Sequence, residues 1–177
     1  MNKKYMIIGI IALVLIFGII IANNYKGKSI DAMEKKNSAE KGDSMEKTSV
    51  MKIEGYSGDV LAGKTSTYLD FNKADYDKAL SENKVILLYF YANWCPLCKA
   101  EQPETFAAFN QINNTNLIGF RVNYKDSETD SDEVALAKEF GISYQHTKVI
   151  IKNGIKILKA PDSWNKERYI EELNKVS

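Results

Sequence analysis

Two cysteines, Cys95 and Cys98, carry the clearest chemical signal in this chain of 177 residues, which contains no other cysteine. They follow an apolar and aromatic run from Lys84 to Ala92, which predicts a buried strand leading into a helix that begins at Pro96. The first turn of a helix leaves backbone N–H groups unpaired, and the helix dipole adds partial positive charge there. A thiolate at that position is stabilised. We therefore predict a redox-active dithiol, in which Cys95 is the exposed attacking thiol and Cys98 resolves the mixed disulfide.

Two other roles for a Cys-x-x-Cys segment receive less support from the sequence. A disulfide that closes so short a ring constrains the unfolded chain little, so it would stabilise the fold only weakly. A tetrahedral zinc site needs four ligands, and the chain's single histidine, His146, supplies only one more. The strand–helix context therefore favours redox chemistry, which needs no cofactor other than the disulfide itself.

Alternating strand and helix patterns fill the second two-thirds of the chain and predict the order β-α-β-α-β-α-β-β-α. This order indicates an α/β fold with parallel strands, crossover helices and one antiparallel hairpin at Asn153-Gly154. Ala74 and Val134 are among the helical residues predicted to face the core. The predicted strands are Thr67–Phe71, Lys84–Ala92, Leu117–Asn123, Thr147–Lys152 and Ile155–Lys159. The predicted helices begin after Asn72, at Pro96, after Asp132 and after Asn165.

The N-terminus predicts a membrane anchor. Met6–Ala22 is apolar throughout, at the short end of the ~17–25 residues that span a bilayer, and Lys3 and Lys4 precede it. We predict that residues 1–22 are a cytoplasmic start and an uncleaved signal anchor in the form of a transmembrane helix. Cleavage after Ala22 is the alternative. Because the lysines stay inside, the rest of the chain is expected on the extracytoplasmic side of the cell membrane, which it crosses once.

The chain after the predicted anchor divides into a tether and one domain. Residues 23–58 are rich in Lys, Glu, Ser and Asn and have few apolar residues, which predicts a polar flexible tether. Residues 59–177 then form the folded redox domain. The formal net charge of +1 provides no field that would attract nucleic acid, so we expect no nucleic-acid partner.

The segment from Phe90 to Lys99 (FYANWCPLCK) resembles the active-site segment of the thioredoxin superfamily. Trp94 matches the tryptophan that precedes the first cysteine, and Pro103 matches the proline that kinks the active-site helix. The stretch from Cys98 to Glu104 (CKAEQPE) is most similar to the membrane-anchored, extracytoplasmic thiol–disulfide oxidoreductases of that superfamily. The resemblance extends from about Thr67 to Val176.

This resemblance implies a thioredoxin fold, in which helices cover both faces of a central mixed sheet. It implies thiol–disulfide exchange on exported or membrane proteins, catalysed by Cys95 and Cys98, with no bound metal. The expected partners are proteins with thiols or disulfides and a redox partner in the membrane. The residues that it assigns to substrate binding are Trp94, Pro96, Gln145 and His146.

Two positions depart from the family pattern. Tyr89 stands where the family often has a buried acidic residue beneath the second cysteine, and a phenol is a poor base near neutral pH. His146 stands where the family has a cis-proline facing the cysteines. A cis peptide bond without proline costs ~2.5–4 kcal/mol. We therefore predict a trans bond between Gln145 and His146, with the imidazole near the sulfur of Cys95.

Copper binding is the alternative function. Sco-type copper chaperones also have a thioredoxin fold, a membrane anchor, two cysteines and a histidine just before a strand. In that case Cys95, Cys98 and His146 would be the ligands, since two thiolates and an imidazole suit copper. Their cysteines are separated by three residues, whereas these are separated by two, which favours exchange. A redox-inert binding module is a third class, and the two intact cysteines argue against it.

Overall fold

A computed structural model describes residues 53–177 of the chain. This part contains the strands β1 (Val60–Ala62), β2 (Thr67–Asp70), β3 (Val85–Tyr91), β4 (Leu117–Asn123), β5 (Thr147–Lys152) and β6 (Ile155–Ala160). Its helices are α1 (Lys73–Ser81), α2 (Pro96–Gln111), α3 (Ser131–Glu139) and α4 (Lys166–Val176). Every strand and helix predicted for the redox domain is present, and β1 is an additional strand that the sequence pattern did not predict.

The strands of this part form one mixed sheet in the order β1-β2-β4-β3-β5-β6. The inner strands β2, β4 and β3 are parallel, whereas β1, β5 and β6 each pair antiparallel with their neighbours. All residues of β3 are buried, which explains why this strand is an uninterrupted apolar and aromatic run. The predicted α/β fold with a central mixed sheet is confirmed.

The sheet separates two hydrophobic cores. Leu87 of β3 belongs to the core that holds both cysteines, together with Phe109 of α2 and Tyr169 of α4. Its neighbour Leu88 belongs to the other core, together with Tyr76 of α1 and residues of α3. Successive residues of a strand point to opposite faces, so helices cover both faces of the sheet, as the resemblance implies.

Two residues predicted to face inward are exposed instead. Ala74 of α1 is exposed and Tyr76 is buried, while Val134 of α3 is 58% exposed and Leu136 is buried. In each short helix, apolar residues occur on more than one face. The face with the larger apolar side chain packs on the sheet because it removes more apolar surface from water.

Residues 53–58, which the composition assigns to the tether, contact α1. Asp75 accepts hydrogen bonds from the backbone N–H groups of Ser57, at 2.9 and 3.0 Å, and of Gly58, at 2.7 Å. Burial would raise the pKa of Asp75, but these hydrogen bonds hold it below its ordinary value. The chain is therefore fixed to α1 just before β1 begins.

The predicted signal anchor and most of the predicted tether lie outside the described residues. Within residues 53–177, no helix has both the length and the apolar character needed to cross a membrane.

Gly119 of β4 gives α2 its close approach to the sheet. A methyl group added there would lie 2.5 Å from Cζ of Phe109 and 2.6 Å from Cδ2 of Tyr68. We predict that Gly119→Ala lowers the free energy of unfolding by ~1–3 kcal/mol, because overpacking a dense core forces side chains out of place. Chemical denaturation measures this loss.

A double-mutant cycle identifies the clash as the cause. Phe109→Leu alone should also destabilise, because it leaves a cavity. In the Gly119→Ala background the same change makes room for the methyl group. The loss of unfolding free energy in the double variant should then be smaller than the sum of the two single losses by ~0.5–3 kcal/mol. Simple additivity would contradict this account of the packing.

Candidate active site

The two cysteines lie where β3 passes into α2. Cys95 is the N-cap of α2, and its sulfur accepts a hydrogen bond from the backbone N–H of Cys98 at 3.2 Å. Pro96 follows in the first helical turn, where its missing N–H group costs nothing. Both cysteines are free thiols. The cap thus places the Cys95 sulfur against an N–H group of the kind that stabilises a thiolate.

The two thiols are less accessible than the sequence suggests. Cys95 is 3% exposed and Cys98 is 0% exposed, so the prediction of an exposed Cys95 is wrong. Cys95 is buried because it packs in the core that contains Ala92 and Cys98. Its neighbours Trp94 and Leu97 point outward, with 53% and 60% of their surface exposed. The accessible surface beside the thiol is therefore largely that of Trp94 and Leu97.

Cys98 requires help to lose its proton. Burial raises the pKa of this thiol to about 12, and the neighbouring Cys95 thiol acts in the same direction. Hydrogen bonds involving the Ala92 backbone and the Tyr89 hydroxyl lower the pKa, but by less. Cys98 is therefore protonated at neutral pH in the dithiol form.

His146 begins the segment that leads into β5. The described residues contain no cis peptide bond, so the bond between Gln145 and His146 is trans, as predicted. His146 has φ of 69°, and its backbone N–H donates to the carbonyl oxygen of Phe90 at 2.7 Å. Gln145 beside it is half-buried. Proline could occupy this position only with a different backbone, because it has no N–H and its φ is fixed near −65°.

The imidazole of His146 points into the protein. Nδ1 lies 3.1 Å from the hydroxyl of Tyr89, and Nε2 lies 2.8 Å from the hydroxyl of Ser163 and 2.9 Å from Oε2 of Glu101. The ring is 7% exposed. Both ring nitrogens therefore face partners other than Cys95, and no hydrogen bond joins the imidazole to the Cys95 sulfur among the described residues.

The alternative copper site also lacks support from the geometry. Within residues 53–177, no three His, Cys, Asp or Glu side chains are grouped so that they could hold a metal ion. His146 is turned toward Tyr89, Ser163 and Glu101, and the structure does not bring it together with the two cysteines as a ligand set.

A buried ion pair lies beneath the site. Lys148 of β5 is fully buried, and its Nζ donates to Oε1 of Glu101 at 2.8 Å and to the carbonyl oxygen of Asp162 at 2.5 Å. The hydroxyl of Tyr169 donates to the same Oε1 at 2.5 Å. Burial would raise the pKa of Glu101, but His146, Lys148 and Tyr169 together hold it below its ordinary value. Glu101 is therefore a carboxylate in the core.

Trp94 is held by the loop that follows β4. Its Nε1 donates to the carbonyl oxygen of Lys125 at 3.0 Å. The backbone N–H of Asn93 donates to Oδ2 of Asp126 at 2.8 Å, and its side-chain amide donates to Ser127 at 3.0 Å. These bonds fix the exposed indole beside the cysteines.

Comparison with known proteins decides the family. The family model named Thioredoxin matches residues 67–175 of this chain, which include every residue of the site. This chain belongs to the thioredoxin family.

Individual relatives agree with this assignment. Thioredoxin H4 of Arabidopsis thaliana is 38% identical over 82 residues, which cover 44% of this chain and 60% of that protein. A protein disulfide-isomerase of Arthroderma benhamiae is 34% identical over 86 residues, which cover 49% of this chain and 14% of that protein. The chain thus spans at most 60% of the length of these two curated relatives.

A solved structure shows the same fold. Trxlp from Edwardsiella tarda superposes with a TM-score of 0.50 at 24% identity, covering 59% of this chain and 95% of that chain. This likeness supports the fold of the described domain.

The two departures from the thioredoxin pattern touch each other. Tyr89 and His146 were recognised separately in the sequence, 57 residues apart, and the structure joins them by a contact of 3.1 Å. Their partners Glu101 and Lys148 were not predicted from the sequence. A glutamate in a helix and a lysine in a strand are charges that usually face solvent. The one available signal was the position of Lys148 within an otherwise apolar strand.

Glu133 supports the loop that holds Trp94. It accepts hydrogen bonds from the backbone N–H groups of Asn123, at 2.6 Å, and Asp130, at 2.9 Å, at the two ends of this loop. Burial raises the pKa of Glu133 to about 7, despite these hydrogen bonds, and the charges of Asp130 and Asp126 act in the same direction as burial.

The titration of Glu133 predicts a pH dependence of stability. Because its pKa in the folded protein lies above the ordinary value of 4.5, the unfolded chain loses this proton first as the pH rises. Stability from this group is therefore present at low pH and is lost between about pH 4.5 and about pH 7. Glu133→Gln has no such titration.

Urea denaturation across this interval tests the assignment. The free energy of unfolding of the wild type minus that of Glu133→Gln should fall as the pH rises. The matched control is Glu128→Gln, which alters an exposed acid in the same loop. A difference for Glu133→Gln that stays constant with pH would show that Glu133 does not titrate there.

Proposed function

We propose that this protein catalyses thiol–disulfide exchange on other proteins through the pair Cys95 and Cys98. The observation that carries the proposal is the cap at the start of α2, where the Cys98 N–H donates to the Cys95 sulfur at 3.2 Å. It supports a reactive first thiol with a second thiol one helical turn away.

The exchange takes place in two displacements. The Cys95 thiolate attacks a substrate disulfide, one substrate sulfur leaves as a thiolate, and a mixed disulfide forms. The Cys98 sulfur then attacks Cys95, so that the second substrate sulfur leaves and the Cys95–Cys98 disulfide forms. In the opposite direction, a substrate dithiol reduces this disulfide by the same steps.

Exposed apolar side chains offer a surface for protein substrates. Trp94, Leu97 and Tyr144 are 53%, 60% and 51% exposed, and Pro96 is also exposed. The half-buried Gln145 lies beside Tyr144 in the segment before β5. We propose that an extended peptide around the substrate cysteine binds across Trp94 and Pro96 and is met by Gln145. The buried His146 holds this segment in place, since its backbone N–H donates to Phe90 and its ring faces inward.

We further propose that the redox domain acts outside the cytoplasm on exported or membrane proteins, with a membrane protein as its own redox partner. The support is the apolar run Met6–Ala22 after Lys3 and Lys4. A reporter enzyme that works only outside the cytoplasm should be active when fused after Ser177. A reporter that works only inside should be inactive there, and the opposite pattern would overturn this topology.

Trapping of substrates tests the roles of the two cysteines. In Cys98→Ser the resolving thiol is absent, so mixed disulfides between Cys95 and substrate proteins should accumulate. They should appear as reducible, high-mass bands on non-reducing gels. Cys95→Ser is the matched control and should trap none. Equal trapping by the two variants would contradict the assigned roles.

A further inference from the structure

We propose that Tyr89 and His146 form a relay that receives the proton of Cys98 when this thiol attacks the mixed disulfide, with Glu101 as the positioning residue of the relay. The inference rests on the proposed exchange function and adds the route by which the second step proceeds. Tyr89 shares a core with the reacting thiol and passes the proton on, His146 is the acceptor, and Glu101 acts through His146.

The groups of the relay are buried together. Tyr89 and Cys98 are fully buried in the same core, where the Tyr89 hydroxyl acts to lower the pKa of the thiol, and this hydroxyl lies 3.1 Å from Nδ1 of His146. On the other side of the ring, Nε2 lies 2.9 Å from Oε2 of Glu101 and 2.8 Å from the Ser163 hydroxyl. Nε2 is aligned for a hydrogen bond with the Ser163 hydroxyl and lies beside the Glu101 carboxylate, which only accepts, so the tautomer that suits this side carries its proton on Nε2. Nδ1 is then free to accept the proton of the Tyr89 hydroxyl.

The chemistry of the second step requires such a route. Burial raises the pKa of Cys98 to about 12 and also raises the pKa of Tyr89, which Glu101 and Cys98 raise further. Neither group can therefore hold negative charge by itself while the thiol attacks. The relay ends instead on the imidazole of His146, which lies beside the Glu101 carboxylate. The positive charge that the transferred proton brings is therefore paired with a buried negative charge.

Glu101 remains a carboxylate because neighbouring hydrogen-bond donors stabilise its negative charge. Lys148 of β5 donates to its Oε1 at 2.8 Å, and Tyr169 of α4 donates to the same oxygen at 2.5 Å. Oε2 has no well-aligned hydrogen bond from any described residue, and it faces the imidazole. Asp162 contributes its carbonyl oxygen to Lys148, and its carboxylate is paired with Arg168.

Atoms and charges balance in this step. A bond forms between the Cys98 and Cys95 sulfurs, and the bond between Cys95 and the substrate sulfur breaks. The electron pair leaves on the substrate as a thiolate, which takes a proton from water. The Cys98 proton passes to the Tyr89 oxygen while the Tyr89 proton passes to Nδ1 of His146. The mixed disulfide is the oxidant, so no other co-reactant is required.

A rapid-mixing experiment separates the two displacements. Reduced protein is mixed with an excess of an aromatic disulfide that releases a coloured thiolate. The first release reports attack by Cys95, and the second reports attack by Cys98. In Tyr89→Phe the second release should slow by roughly 100-fold while the first changes less than about twofold, because general acid–base catalysis contributes at least that much.

Two further variants test the individual roles. His146→Asn should slow the second release to a similar extent, and asparagine tolerates the left-handed backbone found at this position. The double variant should be no slower than either single variant, because both belong to one relay. The matched control is Tyr68→Phe, which removes a buried hydroxyl from the same core that has no hydrogen-bond partner among the described residues, and its second release should stay close to that of the wild type.

The wild type itself provides a test that needs no mutation. In heavy water the second release should slow more than the first, because protons move in the second step, and Tyr89→Phe should lose this difference. The relay is overturned if Tyr89→Phe and His146→Asn leave the second release unchanged, or if they slow both releases equally. Absence of any first release in the wild type would instead overturn the proposed exchange function.

Discussion

The carboxylate of Glu101 joins the parts of this domain that meet at the cysteines. It lies on α2, the helix that Cys95 caps, and it binds Lys148 of β5, Tyr169 of α4 and the imidazole of His146. A buried ion pair of this kind adds little net stability when compared with apolar residues, but loss of one partner costs ~3–5 kcal/mol because a charge is left alone in the core. The helix with the dithiol is therefore held in one position against the sheet.

This constraint also determines what surrounds the thiols. Because Glu101 and Lys148 occupy the interior beneath the site, the imidazole of His146 finds a partner there and turns away from the surface. Its backbone N–H bonds to Phe90 at the end of β3, a bond that proline could not make. Tyr89, which shares a core with Cys98, then contacts the ring of His146 at 3.1 Å. The outer surface is left to Trp94, Pro96 and Leu97, which are the residues available to a protein substrate.

The parts of the structure that were predicted from the sequence depend on local signals. The apolar run of β3, the cap at Asn72, the Asn153-Gly154 turn and the Cys-x-x-Cys segment each specify their own conformation through neighbouring residues. The parts that were not predicted depend on distant partners. Lys148 and Glu101 are 47 residues apart, and the sequence around either residue does not predict that the two side chains pair. The burial of Cys95, the direction of the His146 ring and the edge strand β1 are likewise set by packing across the domain.

The equilibrium of the Cys95–Cys98 pair with a glutathione buffer tests the central claim most directly. The fraction of disulfide can be measured by acid quenching, alkylation and mass spectrometry over a range of buffer potentials. The account predicts one two-electron couple confined to these two cysteines, with a reduction potential between roughly −120 and −270 mV, the range of thioredoxin-fold exchange proteins. Failure of the pair to form an intramolecular disulfide, or a potential below about −300 mV as in structural disulfides, would contradict the assignment of this site to exchange.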